Sequence, residues 1–130
     1  MAFRVEKDVM VPMRDGTALA TDLWIPDAGP SPVLLVRLPY GKDVPNLLAY
    51  PLSPSFFALL EAGYALAWQD CRGTGRSPGD FAPHKHDPYD GADTVAWLLG
   101  QPWCDRNIGG YGPSYLGFVQ WDTASQTPDG

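Results

Sequence analysis

The sequence has few charged residues and no long apolar run. Charged residues make up 18% of its 130 positions, and 9 Lys and Arg against 15 Asp and Glu give a formal net charge of −6. The scattered cations form no basic stripe that could follow a phosphate backbone, so we expect no nucleic-acid partner. No stretch approaches the roughly 18 apolar residues of a membrane span, and residues 1–7 lack the apolar segment of a secretion signal. We therefore expect a soluble, cytoplasmic protein without a membrane partner.

Cysteine and histidine are also scarce. The two cysteines, Cys71 and Cys104, form neither a C-x-x-C pair nor a zinc-binding spacing, so we predict two reduced structural thiols. The two histidines, His84 and His86, lie two residues apart without a third ligand at a spacing typical of metal sites, which favours a solvated loop. The sequence therefore predicts neither a metal site nor a bound cofactor.

The residues that are abundant indicate one packed domain. Apolar residues make up 45% of the chain and aromatic residues 12%, which is too rich in core-forming side chains for a disordered segment. Glycine and proline, at 14 each, divide the chain into short segments. Residues 3–13 and 17–25 are strand-like and flank Arg14-Asp15-Gly16, where Asp-Gly is a turn signal. This pattern predicts an antiparallel hairpin.

Beyond the hairpin, apolar strands alternate with helices. Strands are predicted at residues 32–38, 64–69 and 107–111. Helices are predicted from Ser53-Pro54 to Gly63, from about 88 to 100 with Asp87 as the cap, and from Ser114 to Ser125. Such alternation is typical of βαβ units, so we predict an α/β fold with a parallel sheet.

A serine stands where the last of these helices begins. Ser114 ends the segment 109–114 (GGYGPS), and the next glycine is Gly117. A sharp strand-to-helix turn would project the serine hydroxyl from the sheet, beside helix N–H groups that can stabilise an oxyanion. The spacing departs from the usual G-x-S-x-G pattern, and a serine at a helix start more often only caps the helix. Spacing alone leaves both roles open.

A second glycine-rich segment spans residues 70–79. Its three glycines invite comparison with dinucleotide-binding loops, but the third comes one residue late and Pro78 interrupts the pattern. We therefore predict a structural loop that Asp70 and Arg72 hold by hydrogen bonds.

Five motifs in a fixed order connect the chain with a known family. They are Met13–Thr17 with Leu19–Pro26, Arg37–Gly41, Asp70–Ser77 with Gly79, Asp90–Trp97 with Gln101–Trp103, and Gly112–Gly117 with Gln120-Trp121. Through them the chain resembles, over nearly all its length, the amino-terminal part of the cocaine-esterase and X-prolyl dipeptidyl-peptidase group of α/β-hydrolases. In that group G-x-S-Y-x-G is itself the nucleophile elbow, so the departure at Gly117 becomes a match.

The resemblance implies a serine hydrolase that cleaves esters or amides through an acyl-enzyme. It implies Ser114 as the nucleophile, with an oxyanion hole made by the backbone N–H of Tyr115 and the phenolic hydroxyl of Tyr40. A neutral phenol is a hydrogen-bond donor at pH 7, and Tyr40 follows a central strand, where open α/β sheets place their sites. For the Tyr115 side chain we expect packing. The implied substrates are small esters, amides or short peptides, and the choice between esterase and X-Pro dipeptidyl-peptidase stays open.

Part of the implied machinery is missing from the sequence. The 16 residues after Ser114 contain no histidine, whereas α/β-hydrolases place the acid and then the histidine after the serine. We therefore expect residues 1–130 to be the amino-terminal part of an α/β-hydrolase domain, inactive alone, with the remaining sheet, helical cap, acid, histidine and C-terminal β domain downstream. The alternative is a truncated, non-catalytic remnant or interaction module with an exposed sheet edge. A homo-oligomer is compatible with the sequence.

Overall fold

The structure, a computed structural model, describes residues 2–43, 56–112 and 115–126. Its strands are β1 (Phe3–Pro12), β2 (Ala18–Pro26), β3 (Ser31–Leu38), β4 (Ala65–Asp70) and β5 (Cys104–Gly110). Its helices are α1 (Phe56–Glu61), α2 (Asp87–Leu99) and α3 (Tyr115–Gln126). None of these described helices has the length and apolar character that crossing a bilayer requires.

All five strands join in one sheet, in the order β1-β2-β4-β3-β5. β1 and β2 form the predicted antiparallel hairpin around Arg14-Asp15-Gly16, and β2 also pairs antiparallel with β4. β4, β3 and β5 run parallel to one another, as the alternation of strands and helices predicts. The sheet is therefore mixed, with an antiparallel half joined to a parallel half at β4.

The side chains of β3 and β4 alternate between two buried faces of the sheet. One face packs against α2, in a cluster that includes Val33, Leu35, Ala65, Ala67 and Leu98. The other face packs against α1, in a cluster that includes Val36, Leu38, Leu60, Leu66 and Trp68. Burial on both faces explains why the two strands are mostly apolar, and it holds the carboxyl ends of β3 and β4 in a rigid frame.

The glycine-rich segment after β4 is a structural loop, as predicted. The carboxylate of Asp70 accepts hydrogen bonds from the backbone N–H groups of Arg76 (2.9 Å) and Lys42 (2.7 Å). Gly75 has a φ of +51°, and a Cβ at this residue would lie 2.2 Å from Asp70 Oδ2, so glycine lets the loop close around the carboxylate. Burial raises the pKa of the Asp70 carboxyl, and the two N–H groups oppose that rise.

Arg72 connects this loop to the hairpin turn and to α2. Its buried side chain donates two hydrogen bonds to the buried carboxylate of Asp90, at 2.7 and 2.9 Å. It also donates to Asp15 (2.7 Å) and Thr17 (2.9 Å) beside the hairpin turn. The hydrogen bonds from Arg72 hold the pKa of Asp15 well below its usual range. One guanidinium therefore fixes three segments that are distant in sequence.

Replacing Arg72 by methionine is expected to destabilise the protein by about 3–5 kcal/mol. Methionine keeps much of the side-chain volume but leaves the Asp90 carboxylate buried without its cation. Urea unfolding, monitored by tryptophan fluorescence, should show the loss of stability as a lower urea concentration at the unfolding midpoint. Arg4→Met is the control, because Arg4 pairs with Glu6 in an exposed position. Equal midpoints for the two variants would contradict this role of Arg72.

The helix predicted from about 88 to 100 is confirmed as α2, but its predicted cap is wrong. Asp87 is the first residue of α2, and His86 occupies the N-cap position without a side-chain hydrogen bond to the helix. The Asp87 carboxylate is buried and instead accepts the hydroxyl of Tyr115, which draws it away from a capping position. The predicted starts of the other two helices, at Ser53 and Ser114, lie outside the described residues.

Candidate active site

The candidate site lies at the edge where the parallel strands end. β3 and β5 pair in parallel, with Leu34 beside Gly109 and Leu35 beside Gly110. Their carboxyl ends therefore meet at the same edge of the sheet, where open α/β sheets bind ligands. The two tyrosines predicted to act in the site follow these strands. Tyr40 comes shortly after β3, and Tyr115 begins α3, the helix that follows β5.

The predicted nucleophile, Ser114, lies outside the described residues, immediately before α3. The elements on either side of it are described. Gly112 has a φ of +136°, and a Cβ at this residue would lie 2.5 Å from the Cβ of Leu116, so the chain after β5 lies close against the first turn of α3. β5 and α3 therefore lie on either side of the predicted nucleophile, in the strand-to-helix order that a nucleophile elbow requires.

Tyr40 lies exposed at this edge. It is 52% exposed, and its hydroxyl has no hydrogen-bond partner in the described part of the chain. The loop that carries it is anchored to β4 and the following residue, because Lys42 N–H binds the Asp70 carboxylate and Cys71 N–H binds the carbonyl oxygen of Leu38 at 2.9 Å. A phenolic donor on an anchored loop, unpaired within the described residues, has the properties that an oxyanion hole requires.

The side chain of Tyr115 is tied to α2 and to the segment before it. Its hydroxyl donates to Asp87 Oδ2 at 2.5 Å, and its ring stacks on the imidazole of His84 with centroids 4.9 Å apart. Burial and the bond to Asp87 raise the pKa of Tyr115, so the phenol stays protonated at neutral pH. The side chain anchors the first turn of α3, whose backbone N–H the resemblance assigns to the oxyanion hole.

Asp87 is buried beside a cation. Arg37 Nη2 lies 3.6 Å from Asp87 Oδ1, and Arg37 Nη1 donates to the backbone carbonyl oxygen of Asp87 at 3.1 Å. Arg37 Nε also donates to Gln69 Oε1 at 2.8 Å, and that oxygen accepts a further hydrogen bond from Thr94 Oγ1 at 3.0 Å. This buried polar network links β3, β4 and α2, and through Tyr115 it reaches the start of α3.

One group of described residues has the composition of a metal site. Ligand atoms of His84, Asp87 and Asp122 all lie within 4.8 Å of one another. Asp87 Oδ2 already accepts the Tyr115 hydroxyl and the His84 N–H, and Oδ1 faces Arg37, so the geometry assigns no metal here. His84 is exposed, as predicted for a solvated loop, but its Nδ1 lies 3.0 Å from Asp122 Oδ2. Sequence reasoning missed this contact between distant residues.

Sequence reasoning also missed a buried lysine beside the Tyr40 loop. The side chain of Lys42 is 0% exposed and pairs with Asp8 and Asp22 of the hairpin. A lysine after a glycine ordinarily indicates solvated surface, and no local pattern connects it with carboxylates on a distant hairpin. The one available signal was its position directly after the motif Arg37–Gly41.

Comparison with known proteins places these observations in a family context. A model of the X-Pro dipeptidyl-peptidase (S15 family) matches residues 15–130. The cocaine esterase of Rhodococcus sp. is 49% identical over 124 residues, which cover 94% of this chain and 21% of the esterase. The chain thus spans about a fifth of the length of the curated relatives it matches.

Solved structures agree with the sequence matches. A CocE/NonD family hydrolase from Staphylococcus aureus superposes with a TM-score of 0.88 at 30% identity, over 99% of this chain and 26% of that hydrolase. An alpha-amino acid ester hydrolase superposes with a TM-score of 0.80 at 25% identity, over 96% of this chain and 23% of that enzyme. The predicted resemblance and the α/β-hydrolase fold are confirmed, and the mixed five-stranded sheet corresponds to the amino-terminal portion of that fold.

Proposed function

The chain belongs to the X-Pro dipeptidyl-peptidase (S15) family of hydrolases, and we propose that it supplies the nucleophile and the oxyanion hole of a serine hydrolase that cleaves small esters. Ser114 Oγ is the nucleophile in this proposal, and the Tyr40 hydroxyl and the Tyr115 N–H are the oxyanion donors. Residues 1–130 then form the amino-terminal part of an α/β-hydrolase domain. The helical cap, the remaining sheet and the C-terminal β domain come from chain outside these residues.

The carrying observation is that the Tyr40 loop and the start of α3 lie at one edge of the sheet. β3 and β5 are adjacent and parallel, so the residues that follow them approach a bound carbonyl group from the same side. The amino-terminal end of α3 adds a positive potential to which an oxyanion is attracted. Two donors of this kind stabilise the charge that develops only in the transition state.

The reaction consists of two acyl transfers. Ser114 Oγ attacks the carbonyl carbon while its proton passes to a general base, and the carbonyl oxygen becomes an oxyanion bound by the two donors. Collapse of this intermediate breaks the bond to the leaving alcohol, which takes up the proton, and leaves the acyl group on Ser114. Water then attacks the acyl-enzyme with help from the same base. The carboxylic acid leaves and the serine hydroxyl is restored.

The general base belongs to the part of the machinery that residues 1–130 do not supply in this proposal. A serine without a base keeps its proton at pH 7 and is a weak nucleophile. His84 pairs with Asp122, but it precedes the serine, which is opposite to the chain order of α/β-hydrolases. We therefore propose that the acid and the histidine lie outside these residues and that residues 1–130 alone do not turn over substrate.

The proposed test uses the longest reading frame that encodes this chain, expressed whole. We expect it to hydrolyse 4-nitrophenyl acetate faster than Ala-Pro-4-nitroanilide, because two of the similar proteins are named as ester hydrolases. A fluorophosphonate probe should label it, and peptide mapping should place the label on Ser114. Preferential release of 4-nitroaniline would replace the esterase proposal by a peptidase.

Two further outcomes decide the remaining parts of the proposal. The absence of both turnover and labelling would favour a non-catalytic remnant or interaction module. Fluorophosphonate labelling of Ser114 in residues 1–130 expressed alone would contradict the proposal that the general base lies outside these residues. His84 and Asp122 would then be the residues to mutate as a candidate base and its partner.

A further inference from the structure

The hairpin contains a strained residue at an irregularity of its pairing. The register of β1 against β2 shifts between Glu6 and Val9, and Asp8 within this shift has a φ of +53°. Left-handed backbone is uncommon for a residue with a Cβ, and β-bulges often redirect a side chain. The Asp8 N–H donates to Asp22 Oδ1 at 2.9 Å, and the Asp8 carboxylate binds Lys42. The bulge therefore directs a carboxylate at a residue outside the hairpin.

Lys42 is held by two carboxylates of the hairpin. Its buried Nζ lies 2.5 Å from Asp8 Oδ1 and 3.0 Å from Asp22 Oδ1, and the Asp22 side chain is also 0% exposed. Burial alone would lower the pKa of Lys42, but the bonds to Asp8 and Asp22 outweigh it and raise the pKa, so the ammonium stays charged. A buried ion pair of this kind contributes little net stability compared with apolar packing. The pair does fix the position of the Lys42 side chain relative to the hairpin.

Lys42 is attached through its backbone as well as its side chain. Its N–H donates to Asp70 Oδ1 at 2.7 Å, while its ammonium reaches the hairpin. Only Gly41, with a φ of +93°, separates it from Tyr40. The two attachments therefore fix the loop that carries Tyr40 against both β4 and the hairpin.

We propose that Lys42 is a positioning residue for the oxyanion hole: by binding Asp8 and Asp22 it holds the Tyr40 hydroxyl where the substrate oxygen becomes charged. The inference rests on the proposed function, because it requires Tyr40 to be an oxyanion donor. It gives two hairpin residues, Asp8 and Asp22, a role in supporting the oxyanion hole.

The position of the Tyr40 hydroxyl depends on its loop. Tyr40 is exposed and its hydroxyl has no partner among the described residues, so within this part of the chain the anchors of its loop determine where the hydroxyl lies. An oxyanion donor acts only at about 2.7–3.1 Å from the charged oxygen, and a misplacement of about 1 Å costs on the order of 10² in rate. Loss of the Lys42 anchor should therefore lower kcat and leave KM nearly unchanged, because the donor acts mainly in the transition state.

The test is a double-mutant cycle of Lys42→Met and Tyr40→Phe in the protein expressed from the whole reading frame, with 4-nitrophenyl acetate as substrate. Lys42→Met alone is expected to lower kcat about 10- to 100-fold. In the Tyr40→Phe background no hydroxyl remains to be positioned, so the same substitution should lower kcat less than about threefold. Lys42→Arg keeps the charge and should recover part of the lost rate. Equal losses of kcat in both backgrounds would overturn the proposal.

Asp8→Asn decides the question if Lys42→Met fails to fold. Asparagine tolerates left-handed backbone, so the bulge is kept while the negative charge that binds Lys42 is lost. Glu6→Gln is the matched control, because it removes a carboxylate from the same strand, where Glu6 makes an exposed pair with Arg4. Asp8→Asn is expected to lower kcat about tenfold, and Glu6→Gln to leave it unchanged. Equal kcat values for these two variants would overturn the proposal.

The outcomes separate this inference from the proposed function. If Tyr40→Phe keeps its kcat, Tyr40 is not a donor, and the proposed oxyanion hole fails together with its support. If Tyr40→Phe loses on the order of 10² in kcat while Lys42→Met and Asp8→Asn lose nothing, the oxyanion hole stands and the positioning role of Lys42 fails.

Discussion

Replacing Ser114 by alanine is expected to abolish ester hydrolysis, with kcat falling on the order of 10⁴- to 10⁶-fold. Without Oγ no acyl-enzyme forms, and the residual rate comes from substrate binding and from oxyanion donors that act on direct attack by water. The substitution removes one oxygen atom and leaves both proposed donors in place. The measurement is the steady-state release of 4-nitrophenolate at saturating substrate, together with loss of fluorophosphonate labelling.

Ser125→Ala is the matched control for this experiment. Ser125 lies near the other end of α3, is exposed, and donates its hydroxyl to the carbonyl oxygen of Asp122 at 2.7 Å. The same loss of one hydroxyl from the same helix should leave kcat unchanged. A Ser114→Ala variant that retains more than about a hundredth of the parent kcat would exclude Ser114 as the nucleophile.

Replacing Tyr40 by phenylalanine is expected to lower kcat on the order of 10²-fold with little change in KM. The ring stays and only the hydroxyl is lost, so substrate binding in the ground state changes little. The oxyanion of each tetrahedral intermediate loses one of its two donors, and the remaining Tyr115 N–H carries the charge alone. Separate determination of kcat and KM for a 4-nitrophenyl ester tests this split.

Tyr64→Phe is the matched control, because it also removes one phenolic hydroxyl but at a different position in the fold. Tyr64 precedes the amino-terminal end of β4, and Tyr40 follows the carboxyl-terminal end of β3, so the two tyrosines lie at opposite edges. We expect Tyr64→Phe to keep the parent kcat. A Tyr40→Phe variant with the kcat of Tyr64→Phe would remove the phenol from the oxyanion hole and leave the Ser114 prediction untouched.

Local sequence patterns predicted the elements of the fold but not the order of the strands. The runs at β3 and β4 are mostly apolar because both faces of each strand are buried, and Asp15-Gly16 marks the hairpin turn. The position of β4 between β2 and β3 depends on packing between segments that are distant in the chain. No local pattern reports such packing.

In the candidate site, too, the sequence predicted the main residues but not the long-range contacts that hold them. Ser114, Tyr40 and Tyr115 came from the family resemblance, since spacing alone also allowed a helix cap at Ser114. Their supports were missed because each depends on a contact that only the fold creates. The pair Asp87-Pro88 is typical of a helix start, but the Asp87 carboxylate contacts Tyr115 and Arg37, which are distant in sequence. Lys42 is of a residue type typical of the surface, although in the fold its side chain is buried beside the hairpin.

The two attachments of the Tyr40 loop, to Asp70 and to the hairpin, differ in their resistance to local unfolding. Asp70 ends β4, in which every residue is buried and which pairs with a strand on each side. The backbone amides of β4 should therefore exchange with solvent only when the whole sheet opens. Asp8 lies in β1, the outermost described strand on its side, where irregular pairing at the bulge permits fraying at a lower free energy. Warming should therefore release the ammonium of Lys42 well before its backbone, and catalysis should decline at temperatures where the fold is still intact.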